Sequence, residues 1–310
     1  MENRKNFFSN TFAVAFFAIL CCALWGSATP FIKIGSSLIL PVKNTASTIL
    51  FAGIRFSFAG LLTVITYSIA RRKLLFPKLE NTGRILTVSA FQTIIQYIFF
   101  YIGLSNTSGV KGTILSGSNA FFAVLIAALV FKQEKLTVKK VVACVLGVAG
   151  IVIINLDGLE FTMNFTGDGF VLFSAIAYSV SSSLIKRFSK YEDPVVISGY
   201  QFIFGGAVMV IIGLAMGGEV VFSGIKSYAV IGYLSLLSAV AYSLWGVLLK
   251  NNPVSKVSIY SFMIPVFGTL LSMLMLDEAT RVSPTSLAIT LLLICTGIFL
   301  INYKRIKNNL

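Results

Sequence analysis

Residues 97–125 read YIFFYIGLSNTSGVKGTILSGSNAFFAVL, and residues 242–270 read YSLWGVLLKNNPVSKVSIYSFMIPVFGTL. The two segments align without a gap. Tyr97, Leu104, Asn106, Lys111, Ile114, Ser116, Phe122 and Leu125 fall on Tyr242, Leu249, Asn251, Lys256, Ile259, Ser261, Phe267 and Leu270. Around them, apolar stretches near the length a membrane span needs, about 20 residues, occur ten times. They lie near 12–33, 47–70, 82–104, 110–131, 137–156, 168–187, 195–216, 226–249, 257–276 and 285–303. Five precede the acidic loop around Asp157–Asp168 and five follow it. A five-span unit starts and ends on opposite sides of a bilayer, so its second copy enters from the other side. The expected architecture is an all-α membrane protein of ten transmembrane helices, built as two inverted five-helix repeats, 1–156 and 157–310.

Composition supports the membrane class. Of 310 residues, 56% are hydrophobic, and mean hydropathy is +0.89. Lipid cannot hydrogen-bond a backbone, so spans are helices or a closed barrel. Phe12–Ile32 is apolar without period-two alternation, which selects helices.

The net charge of +14 does not point to nucleic acid, because the cations are sorted along the chain. Nineteen of the 25 Lys and Arg residues lie on the tails and alternate loops, from Arg4 and Lys5 to Lys304, Arg305 and Lys307. The other loops hold five: Lys33, Lys43, Lys111, Lys226 and Arg281. Arg55 alone sits well within a span. The positive-inside rule then predicts cytoplasmic N- and C-termini in a cell (inner or plasma) membrane. Cys21, Cys22, Cys144 and Cys295 all fall in spans, where small apolar packing is the expected role. Pro30 and Pro265 interrupt spans 1 and 9 and predict kinks. Ala143/Gly147 and Gly213/Gly217 are small pairs at the spacing that lets helices approach closely.

Several of these residues, read in order, resemble the drug/metabolite transporter superfamily, EamA type. They are Trp25-Gly26 followed by Lys33, Arg55-Phe56 in span 2, and Glu134-Lys135-Leu136-Thr137 after span 4. The second half repeats the theme with Tyr178…Lys186, Pro265…Glu278 and Gly297. The resemblance covers essentially the whole chain, although Ala120-Phe121 replaces a proline usual in span 4. It implies a permease or exporter for amino acids, related metabolites, nucleotide precursors or drugs. Inverted repeats in such carriers form two alternating gates around one midplane site.

What the spans lack narrows the chemistry. There is no histidine, and none of the eleven acidic residues is placed squarely within a span. Proton-exchanging carriers usually keep such a group mid-membrane. Intramembrane metalloenzymes and proteases need ligands or a base there. The expectation is a non-enzymatic carrier with no cofactor and no metal. Its partners are a small-molecule substrate and the bilayer, with no nucleic acid, as a monomer or homodimer.

A site must then come from neutral polar and aromatic groups. Candidates are Trp25 and Thr29 in span 1, and Gln92, Gln96, Tyr97 and Tyr101 in span 3. Span 4 adds Ser116 and Asn119, and span 6 adds Tyr178 and Ser182. Span 8 adds Tyr242 and Trp245, and span 9 adds Ser261. Such a cavity suits a neutral or zwitterionic, amino-acid-like molecule. Arg55 reads either as a brace at the outer mouth or as a contact for a substrate carboxylate. Glu134 and Glu278 read as helix-end residues serving the helix that follows each. Lys33/Lys186 and Lys111/Lys256 are repeat-related pairs that read as interfacial anchors or gate contacts. Two alternative cargoes remain: lipophilic cations or drugs, and phosphorylated or nucleotide-linked metabolites. A membrane receptor or scaffold is the non-transport alternative.

Overall fold

The computed structural model describes residues 7–156, 162–276 and 283–302. Nine helices among them are long and apolar enough to cross a membrane. In the first half these are α1 (Thr11–Ile39), α2 (Thr45–Arg71), α3 (Leu79–Ser105) and α4 (Lys111–Val130). A shorter helix, α5 (Val138–Ile154), has 17 residues, about 26 Å at the α-helical rise. The second half supplies α6 (Phe165–Phe188), α7 (Pro194–Ala215), α8 (Gly224–Asn251), α9 (Val254–Met275) and α10 (Thr285–Asn302). Asp157, Glu160, Glu278, Arg281 and the basic residues of both tails lie outside the described residues.

Local chemistry starts these helices where polar residues interrupt the apolar runs. Asn10 accepts from the Phe12 amide at the start of α1. Asn44 accepts from the Ser47 amide at 2.7 Å at the start of α2. Asp193 accepts from the Val195 amide, and Pro194 follows it at the first turn of α7. Near Pro265 the start of α9 tightens into a 3₁₀ turn over Ile259–Phe262, just where the proline leaves the Ser261 carbonyl without its usual donor. α1 runs through Pro30 without a break.

Helices pair in the combinations that a two-fold relation between halves requires. α2 packs on α7 and α5 on α10. α1 lies against α8 and α9, while α6 lies against α3 and α4. Ser9 and Thr11 near the start of α1 and Leu300 and Asn302 at the end of α10 line one cavity, so the start of α1 and the end of α10 lie on one face. We call it the terminal face, and the other the opposite face. Large apolar side chains point outward along the spans: Phe12, Ile69, Ile211 and Leu292 are among the most exposed. Polar side chains point inward, which is the reverse of a soluble fold and what a lipid solvent selects.

The α2–α7 contact is a glycine seam. A methyl group on Gly53 would sit 2.6 Å from the Val210 amide nitrogen, and one on Gly60 2.6 Å from the Gly199 carbonyl. One on Gly213 would meet the Leu50 Cα at 2.7 Å. Gly217, expected to pack with Gly213, instead has φ +76 and open space around it. It ends α7 in the left-handed conformation, so its role is a helix stop. Gly53→Leu should therefore destabilise the chain by at least the ~1–3 kcal/mol of ordinary overpacking. Thermal unfolding in detergent reads this, and an unchanged melting temperature would show that the two backbones are not in contact.

Candidate functional site between the two halves

Seven rings from five helices meet midway along the bundle. Trp25 of α1 lies edge-on to Tyr242 at 5.0 Å and to Trp245 at 4.9 Å, both on α8. Tyr97 of α3 shares a 2.6 Å hydroxyl hydrogen bond with Tyr242. Phe56 of α2 packs on Tyr97 at 4.4 Å and stacks on Phe202 of α7 at 5.0 Å. Phe202 in turn meets Tyr242 at 4.8 Å. Tyr101, one turn along α3, joins Tyr97 at 5.8 Å. The three- and four-residue spacings within α3 and α8 put these rings on one face of each helix.

Arg55 is set into this cluster. Its side chain is 3% exposed, and the guanidinium lies 4.3 Å from the Phe56 ring centre and 6.0 Å from that of Tyr97. Among the described residues it has no salt-bridge partner, and its Nε has no hydrogen-bond partner. It stands about 15 Å along α2 from the opposite face, counted at 1.5 Å per residue. Cation–π contact offsets only part of the desolvation of a buried charge.

Other polar atoms are buried here without partners among the described residues: Trp25 Nε1, Trp245 Nε1, the Tyr178 hydroxyl, and Oε1 of Gln92 and Gln96. Asn119 lies nearer the terminal face. Its Oδ1 accepts from Ser261 of α9 at 3.1 Å, and its carbonyl accepts from Ser179 of α6 at 2.9 Å. Ser116 and Ser182 instead donate to carbonyls of their own helices, Gly112 and Tyr178. Thr29 is exposed, one turn beyond Trp25 toward the opposite face. In α3 a π-helical stretch, Ala90–Ile95, separates Gln92 from Gln96 and Tyr97. It rotates the register, so Gln92 is 1% exposed while Gln96 and Tyr97 are half-buried.

Sequence reasoning missed Phe56 and Phe202 as parts of the box, and also Gln201, whose Oε1 accepts from Thr93 at 2.6 Å. An amide inside an apolar span was the available signal for Gln201, as it was for Gln92 and Gln96. Phe56 and Phe202 carried none, because an apolar ring reads alike whether it faces lipid or core.

The terminal half is packed shut. Val14, Ala18, Cys21 and Cys22 of α1 meet Ala123, Val124 and Ala127 of α4 and Val257 and Phe262 of α9 in one buried core. Beyond it, Glu134 ties the halves together. Its Oε1 accepts from the Ser255 amide at 2.9 Å, and its Oε2 from the Ser255 hydroxyl at 2.6 Å and Lys140 Nζ at 2.8 Å. The carboxylate was expected to serve the next helix in the chain, α5. It pairs with Lys140 of that helix and also takes the amide at the start of α9, because the turn after α4 folds toward the other half. Lys186 donates to the Leu249 and Asn252 carbonyls, and Lys256 to the Ser9 carbonyl.

At the opposite face, Asp168 is 2% exposed in the first turn of α6, not in an open acidic loop. It forms an ion pair with Lys111 of α4 at 3.5 Å and accepts from Thr107. Lys111 and Lys256 thus occupy matching positions at opposite ends of the bundle. All four cysteines are free thiols, three of them buried. No group of three metal-ligating side chains occurs among the described residues.

Two related helical halves, an apolar outer surface and a polar-aromatic interior define a multi-pass membrane transporter. A profile of the EamA-like transporter family matches residues 12–156 and 165–303, and the chain belongs to that family. It is 29% identical over 299 residues to the uncharacterized transporter YvbV of Bacillus subtilis (strain 168), covering 91% of this chain and 88% of that protein. It is 27% identical over 281 residues to an Escherichia coli (strain K12) protein described as a probable amino-acid metabolite efflux pump, covering 84% and 86%. A chloroplastic WAT1-related protein of Arabidopsis thaliana is 24% identical over 217 residues, and the match spans 66% of this chain and 51% of that longer protein. One solved crystal structure shares the fold with a TM-score of 0.74 at 18% identity, over 93% of this chain and 97% of its own.

Proposed function

We propose that this transporter moves small, neutral or zwitterionic, amino-acid-like metabolites outward by alternating access, with both termini in the cytoplasm. The observation that carries the reading is Arg55: a buried cation inside an aromatic box, without an anionic partner among the described residues. A substrate carboxylate would take the guanidinium as its counter-ion. An ammonium group would rest on the Trp25 and Tyr242 faces, because the box supplies no acid among the described residues. Tyr97, Tyr101, Gln96 and Trp245 would line the apolar remainder, with Gln92, Asn119, Tyr178, Ser116, Ser182 and Ser261 around it and Thr29 at its entrance. The name of the Escherichia coli relative supports the same cargo class. On this reading the structure is closed at the cytoplasmic end, where Glu134 joins the halves, and export ends with release past Thr29.

The mechanism needs no proton exchange, because the sequence holds no histidine and, among the described residues, no acid belongs to the box. Purified protein in liposomes should let a labelled neutral amino acid equilibrate with no imposed pH gradient, unaffected by a protonophore. Strict dependence on a proton gradient would overturn the uncoupled mechanism, and uptake no faster than in empty liposomes would overturn the cargo.

A further inference from the structure

The two halves repeat one contact and fail to repeat another. Lys111 of α4 donates to the Thr162 carbonyl just before α6, and Lys256 of α9 donates to the Ser9 carbonyl just before α1. Lys111 matches Lys256 in the alignment of 97–125 on 242–270. Ser9 matches Thr162 in the register that lays Trp25…Lys33 on Tyr178…Lys186. Two separate registers thus meet in one repeated hydrogen bond, which fixes α1 as the equivalent of α6, α3 of α8 and α4 of α9. Burial can then be compared position by position. At the terminal face α6 packs on α8: Leu184 and Ile185 share a core with Leu248 and Leu249, and Lys186 donates to the Leu249 carbonyl at 3.1 Å. Among the described residues, the matching contact of α1 with α3 is slight. Leu249 is 0% exposed, but its counterpart Leu104 is 38% exposed. Ile185 and Trp245 are buried, whereas their counterparts Ile32 and Phe100 are half-buried. Facing lipid does not account for this, because a position that faces lipid in one half faces it in the other. The difference is that the terminal face is shut and the opposite face is parted between α1 and α3.

We propose that Phe31 and Ile32 of α1 and Phe100 and Leu104 of α3 are the second gate of this transporter. In the other state α1 closes on α3 and buries these four side chains, as Leu184, Ile185, Trp245 and Leu249 are buried here, while α6 parts from α8. One apolar contact is traded for its equivalent, so the hydrophobic gain at one face offsets the loss at the other. That near-balance is what a reversible two-state carrier needs. The gate rests on the alternating-access reading above and adds to it the residues that close the exit.

Double electron–electron resonance on the full chain in lipid nanodiscs tests this, with Cys295→Ser removing the exposed native thiol. Spin labels go on two matched pairs of exposed positions: Ser37→Cys/Ser105→Cys at the ends of α1 and α3, and Lys190→Cys/Lys250→Cys at the ends of α6 and α8. With Glu134 intact, the second pair should give the shorter distance. Glu134→Ala removes the acceptor that holds Ser255 at the terminal face. The short distance should then pass to Ser37/Ser105, its population rising about 100-fold relative to the long one. Leu104→Asp should keep the wild-type melting temperature, because the side chain is exposed here. It should nonetheless lose the short Ser37/Ser105 distance and at least about tenfold in uptake, because closure would bury an unpaired carboxylate. Lengthening at Lys190/Lys250 without shortening at Ser37/Ser105 overturns the gate but not alternating access. No change in either pair overturns alternating access, and the gate with it. Full uptake in Leu104→Asp, or a lower melting temperature, overturns the gate.

Discussion

Arg55→Met should cut transport of a carboxylate-bearing substrate by about 30- to 5,000-fold, the range set by truncating one partner of a buried charge pair at ~2–5 kcal/mol. Arg55→Lys keeps the charge but loses the planar fork, and should cost less. The decisive comparison is with stability. The guanidinium is 3% exposed and has no carboxylate beside it among the described residues. A methionine there removes a buried charge while keeping most of the volume, so the variant should melt at or above the wild-type temperature. A brace would behave oppositely, with a lower melting temperature and transport largely retained. Thermal unfolding and liposome uptake on the same preparation separate the two, and that second pattern would remove Arg55 from the site.

The other large effect is expected at Glu134. Glu134→Ala removes the acceptor for the Ser255 amide, the Ser255 hydroxyl and Lys140 together. Bonds to a buried charged group are worth ~1.5–3 kcal/mol each, and α1, α4 and α9 still pack beneath them. A net shift of about 3 kcal/mol toward opening of the terminal face is expected, about 100-fold in the equilibrium. Ser258 of α9 is fully buried just inside that face and has no hydroxyl partner among the described residues. A cysteine at Ser258 should therefore react about 100-fold faster with a polar thiol reagent when Glu134 is alanine. Equal rates in both backgrounds would mean that Glu134 does not hold the face closed.

Most of the fold was legible because lipid makes one rule dominate: every spanning backbone group is bonded within its own helix, so hydropathy alone marks the spans. The second-half segments agree with the helices to within three residues at their starts, for example 168–187 against Phe165–Phe188. What escaped were features that depend on neighbours. Asp168 looked like a loop acid because nothing near it in the chain reveals Lys111. The α9 partner of Glu134 is likewise a tertiary fact. The π-helical stretch at Ala90–Ile95, which changes the register between Gln92 and Tyr97, leaves no mark in the apolar pattern of span 3. Within the candidate site, Trp25, Tyr97, Tyr242 and Trp245 were visible because ring and polar tip together are uncommon in lipid-facing positions. Ser116 and Ser182 were less informative, since a serine hydroxyl can always return to its own helix.

The glycine seam between α2 and α7 has a mechanical meaning. Where two helices meet through side chains, any rotation forces rotamers to repack, and dense cores resist that as a set of discrete steps. Gly53, Gly60, Gly199, Gly206 and Gly213 bring the two helices close, so side chains interlock only at places such as the Phe56–Phe202 stack. Such a contact would serve as a bearing: close enough to keep the two halves together, smooth enough for them to pivot. Under the alternating access proposed above, α2 and α7 would be the axle and α4 and α9 the moving jaws.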